Sequence, residues 1–158
     1  GLVWAFTAPN QEGAVGSTHI HSDIAIFLND RGLTPFGSQY FVRASDVHVE
    51  PGPGEGYVIH IHATGVTLGR FLKTLGMTFD SNCFTTDKKL SYCNSDSGTL
   101  KMFVRHEGGN WAQNFDYDKY VFSDLDKILI SYGSESQAQL EVQMGKVTDF
   151  SRQNSKVE

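Results

Sequence analysis

The run Thr18-His19-Ile20-His21-Ser22-Asp23-Ile24-Ala25-Ile26-Phe27-Leu28-Asn29 alternates in character from one residue to the next. Ile20, Ile24, Ile26 and Leu28 fall on one side of a period of two, and His19, His21, Asp23 and Phe27 on the other, which predicts a half-buried strand over residues 19–29. Asn29-Asp30-Arg31-Gly32 follows as a turn. A second strand is predicted over residues 57–63, where His60 and His62 share a face opposite Ile59 and Ile61. The fold is therefore read as built on strands that carry a repeated His-x-His element.

Working outward, residues 39–43 and 46–50 are short β-favouring runs, and Pro51-Gly52-Pro53-Gly54-Glu55-Gly56 is a loop. The clearest helix covers residues 68–75: Thr67 is a suitable N-cap, Leu68, Phe71, Leu72 and Leu75 sit at i, i+3, i+4 and i+7, and Gly76 stops it. Residues 77–98 read as an irregular excursion, residues 99–105 as a strand, His106-Glu107-Gly108-Gly109-Asn110 as a turn and residues 127–132 as a last strand. Residues 134–149 have a Ser cap and Leu140, Met144 and Val147 at helical spacing, which predicts one terminal helix, docked or protruding. The expected class is α+β: a β-rich sheet packed on one central helix, β-grasp-like or sandwich-like, with an N-terminal extended arm and a C-terminal helix. The organisation expected is an arm or linker over residues 1–17, a single domain over 18–133, and a helix and tail over 134–158.

A chain of 158 residues and 17.5 kDa suits one domain with a sizeable core. Its net charge of -5 and its scattered Lys and Arg residues argue against nucleic acid as a partner. No stretch reaches the roughly 18 apolar residues of a membrane span. The start at Gly1, without Met, resembles what removal of an export signal or anchor leaves, although any trimming leaves the same. In an exported protein Cys83 and Cys93 are expected to form a disulfide; the alternative is a pair of thiols in a reducing compartment.

Five of the six histidines, His19, His21, His48, His60 and His62, fall within 44 residues. Residues i and i+2 of a strand project to the same side about 7 Å apart, near enough to converge on one ion. Neighbouring strands would bring four imidazoles together. Imidazole suits copper and zinc, and the candidate metal ligands are His19, His21, His60 and His62, with His48 as a fifth ligand or outer partner. Asp23 is a candidate ligand or orienting carboxylate, and Glu50 and Asp46 are weaker candidates. Hydrogen-bonded structural histidines and a pH-sensing cluster are the competing readings. His106, in its Gly-rich turn, is expected to face solvent, and Asp124 and Asp126 are explained by turn chemistry. GxSxG, P-loop, GxGxxG and HExxH motifs are absent, so no enzymatic activity is expected.

Gly16-Ser17-Thr18-His19-Ile20-His21, Val47-His48-Val49-Glu50, the run from Ile59 to Gly69, the Cys83 and Cys93 pair and Ile128-Leu129-Ile130-Ser131-Tyr132-Gly133 together resemble a group of exported or membrane-anchored archaeal proteins, frequent in ammonia-oxidising lineages. The resemblance covers residues 16–133 and implies a place outside the cytoplasm, with residues 1–17 as the remnant of an anchor and linker. The run from Thr67 to Gly133 also looks like β-grasp modules, in which a sheet cradles a helix.

Two functions of different class are expected. One is a non-enzymatic protein that binds copper or zinc. The other is a structural subunit of an extracellular filament, in which the arm, with Leu2, Trp4 and Phe6 alternating, adds as a strand to a neighbouring copy and metal sits between subunits.

Overall fold

A computed structural model describes residues 11–157; the segment expected to act as a donor strand, residues 1–10, lies outside the described residues. The elements are β1 (Ile20–Leu28), β2 (Arg31–Gly32), β3 (Val47–His48), β4 (Val58–Ile61), α1 (Leu68–Thr74), β5 (Thr78–Phe79), β6 (Cys83–Thr85), β7 (Ser91–Cys93), β8 (Thr99–Arg105), β9 (Ala112–Asn114), β10 (Lys127–Gly133), α2 (Gln137–Gly145) and α3 (Ser151–Val157). The protein is α+β and strand-rich.

The main sheet has the order β3-β4-β1-β10-β8-β9, with β2 a short addition to β1. β1 and β10 run parallel at its centre, pairing Asp23 with Lys127 through Leu28 with Tyr132. On one flank β4 is antiparallel to β1, and β3 to β4; on the other β8 is antiparallel to β10, and β9 to β8. The helix α1 packs its buried residues into the core on one face of this sheet.

Alternation along β1 decides the layers. Ile24, Ile26 and Leu28 enter the main core with Val47, Val49, Ile59 and Ile61, and α1 supplies Leu68, Phe71 and Leu72 to it. The helix begins as its sequence predicts, with Thr67 Oγ1 accepting from the Arg70 N–H at 3.1 Å, and Gly76 takes the positive φ of 79° that ends it.

The opposite face is covered too, which corrects the expectation of a half-buried first strand. Ala25, Phe27, Phe103 and Leu129 form a second cluster with Leu140 and Val147. The single helix expected over 134–149 is instead two: α2, with a capping box between Ser136 and Gln139, stops at Gly145, and α3 follows on the same side of the sheet. The first strand is thus buried on both sides, because its polar face is met by a helix that satisfies it.

Two shorter expectations also change. Residues 77–98 are not irregular: β5, β6 and β7 form a three-stranded antiparallel sheet, in which Cys83 stands opposite Cys93 and the two are disulfide-bonded. The run over 39–43 is a 3-10 turn at Ser38–Tyr40 with one bridge from Phe41 to Val49. Gly13 N and Gly16 N donate to the carbonyls of Thr64 and His62, so this part of the segment expected as arm lies against the end of β4.

Candidate metal centre

Strand register assembles the site. His21 on β1 is paired directly with His60 on β4, and His60 is paired in turn with His48 on β3. Directly opposed residues of an antiparallel ladder share a face, so three imidazoles form a row across three adjacent strands. The ladder that pairs Ile20 with Ile61 brings His19 and His62 together one step further on, with ring centroids 4.5 Å apart. Val47, Val49, Ile59 and Ile61, which alternate with these histidines, hold the strands down in the main core.

The five rings close a circuit. Centroids are 5.0 Å apart for His19 and His21, 4.7 Å for His21 and His60, 5.9 Å for His60 and His48, and 5.1 Å for His48 and His62, before His62 returns to His19. His21 and His60 are buried at 2 % exposure, His48 and His62 are intermediate, and His19 is exposed. One edge of the circuit therefore meets solvent.

Glu50 joins the cluster from β3's continuation. Its Oε1 lies 2.9 Å from His60 Nδ1 and 3.3 Å from His48 Nε2. By sequence it is a weaker candidate, signalled only by its position two residues from His48 in the β-favouring run over residues 46–50. Two sets of side chains offer donor atoms within 4.8 Å of one another: His19, His21 and His60, and His48, Glu50 and His62. Donors about 2.1 Å from a zinc ion stand about 3.4 Å apart in a tetrahedron, so closing either set needs ring movements of about 1.4 Å at most. The residues fit a transition metal in their chemistry and in their spacing.

Outer contacts fix the rings. His48 Nδ1 donates to the Ala44 carbonyl at 2.7 Å, and its Nε2 faces Glu50 Oε1 at 3.3 Å, so both ring nitrogens have oxygen partners. Ser155 on α3 gives its hydroxyl proton to the Ser151 carbonyl and accepts from His21 Nδ1 at 3.3 Å, which puts that ring's lone pair on Nε2. Burial pushes the His60 pKa down to about 3, and the neighbouring charges of His21, His48, His62 and His19 act in the same direction. At neutral pH this ring is a neutral base, the form a metal requires.

The remaining candidates have other work. Asp23, fully buried on the His21 side of β1, accepts from Thr148 Oγ1, from the N–H groups of Phe150 and Ser151, and from Ser151 Oγ, so it anchors the start of α3. Asp46 is held by Arg70 through two hydrogen bonds of 3.1 Å and reaches the site only through its backbone, whose carbonyl accepts from His62 N. His106 is mostly exposed, as expected of a turn residue, yet its Nδ1 meets the buried Asp126 carboxylate at 2.7 Å. Asp126 also accepts from Tyr120 Oη and Ser123 N, while Asp124 Oδ1 accepts from His21 N at 3.1 Å. Both aspartates therefore act in turn and strand-end bonding. No protein-family model, curated protein or solved structure matches this chain.

Proposed function

We propose that this chain is an extracytoplasmic protein that binds a transition metal, copper or zinc, through its paired His-x-His motifs without catalysing a reaction. The observation that carries the reading is the closed circuit of five imidazoles built by the register of β1, β4 and β3. Rings on the strands of a packed sheet are positioned before any ion arrives, and the depressed His60 pKa removes the proton that would compete for it. Imidazole is a borderline ligand that suits both ions, and the Irving–Williams order favours copper where copper is available. The Cys83–Cys93 disulfide supports an oxidising compartment. No helix among the described residues is long and apolar enough to cross a membrane.

Metal content and affinity of the chain and of a His60→Ala/His62→Ala variant test the reading. Tight binding lost in the variant is expected; equally weak binding by both removes it.

A filament subunit is the second reading, favoured by the alternation of Leu2, Trp4 and Phe6. Deletion of residues 1–10 should then abolish assembly while leaving a folded monomer. Filaments that persist after the deletion exclude a role for the arm.

A further inference from the structure

From the division of the donors into two sets, we infer that the centre holds two metal ions side by side, with Glu50 completing the second site. The inference rests on the metal-binding reading above and adds a stoichiometry and a carboxylate ligand to it. His19, His21 and His60 have donor atoms within 4.8 Å of one another, and so have His48, Glu50 and His62, with no member in common. Six donors exceed the four that a tetrahedral zinc or copper ion takes. A single ion served by His19, His21, His60 and His62 would use only one of the three donors of the second set.

The two sets touch along a seam. His62 of the second packs on His19 of the first, with centroids 4.5 Å apart, and His48 lies nearly parallel to His60 at an interplanar angle of 19°. Glu50 stands at that seam, its Oε1 within 3.3 Å of nitrogens on both His48 and His60. Two divalent cations held a few ångströms apart repel each other strongly, and a carboxylate between them offsets that repulsion where a neutral imidazole does not. The one anionic donor among the six thus lies where two cations would need it.

The test uses the full chain with its metal removed, titrated with Zn²⁺ and read by native mass spectrometry and calorimetry. Two equivalents are expected for the unaltered chain. Glu50→Gln and His19→Gln, both at solvent-accessible side chains, should each retain one equivalent and weaken the other at least tenfold, because each touches a different set. One equivalent in the unaltered chain overturns the two-ion inference and leaves the metal-binding reading standing. No bound Zn²⁺ and no bound Cu²⁺ in parallel titrations overturns both. Should a variant fail to fold, Cu²⁺ loading of the unaltered chain decides: paired ions give a spin-coupled, diminished paramagnetic resonance signal, and a full signal of isolated Cu²⁺ overturns the pair.

Discussion

His21 on β1 and His60 on β4 face each other across an antiparallel ladder, with ring centroids 4.7 Å apart, planes at 87° and 2 % exposure each. Two buried imidazoles at this distance cannot both be charged without strong repulsion. The fold that brings them together is therefore sensitive to protons.

The sign of that sensitivity follows from His60. Its folded pKa of about 3 lies below the ordinary 6.5, because burial and the neighbouring imidazoles disfavour the charged ring. A depressed histidine binds its proton more readily when unfolded, so its contribution is fully present above about pH 6.5 and is lost progressively as pH falls from there toward 3. Denaturant titrations of the metal-free chain between pH 7 and pH 4 should show stability falling, and His60→Gln should show a shallower fall. Equal slopes for the two proteins would contradict the assignment.

The period of two around His19 and His60 gave the strands, and the helical spacing from Leu68 gave α1, because both signals are local. The partner of each strand is not a local property. That β4 adds to β1 in the register that opposes His21 to His60 depends on a loop over residues 51–56 and on core packing at the far side of the sheet. Asp23 read as a possible ligand for the same reason: nothing within the strand reveals that residues more than 120 positions later will use its carboxylate. Gly145 could have been read as a helix end, and with it the division between α2 and α3.

Loss of the Cys83–Cys93 bridge should affect stability and leave the centre intact. The bridge joins β6 to β7 in the smaller sheet, and it closes a loop with a sequence separation of 10. Chain entropy over a loop of that length corresponds to roughly 2.5 to 3 kcal/mol. A Cys83→Ser/Cys93→Ser variant should therefore unfold at lower denaturant concentration by about that free energy, with unchanged metal stoichiometry. A changed stoichiometry would show that the smaller sheet supports the site.

Gly69→Ala should destabilise the protein, against the usual trend for a helical glycine. Replacing Gly by Ala inside an exposed helix normally stabilises by up to about 1 kcal/mol. At Gly69 an added Cβ would meet Asp118 Cβ at 2.8 Å and the Asp118 carbonyl oxygen at 2.9 Å, where the start of α1 lies against the turn over Tyr117–Lys119. Leu68 N also donates to the Tyr120 carbonyl at 2.8 Å, which leaves the helix little room to withdraw. A net loss of about 1–3 kcal/mol is expected from overpacking, read by thermal or urea unfolding. A more stable variant would mean that the helix and the turn separate easily.

Asp23→Ala tests whether the terminal helix belongs to the metal centre. The carboxylate is fully buried, and four donors at the start of α3 converge on it: Thr148 Oγ1 at 2.7 Å, Phe150 N at 3.0 Å, and the N–H and hydroxyl of Ser151. Burial raises its pKa, and the hydrogen bonds from Ser151, Thr148 and Phe150 act against that rise. Truncation leaves those donors without their acceptor, which should destabilise by about 2–4 kcal/mol and loosen α3 before the sheet unfolds. Because α3 carries Ser155, whose Oγ accepts from His21 Nδ1, the loosening should also release the His21 ring. Loss of such an orienting partner typically weakens metal affinity 10-fold to 100-fold. Hydrogen exchange should then show α3 opening while β1, β4 and β10 stay protected, and a metal titration of the same variant should show the weaker site. Unchanged affinity with α3 open would show that the strands alone position His21 and that the helix serves only to cover the sheet.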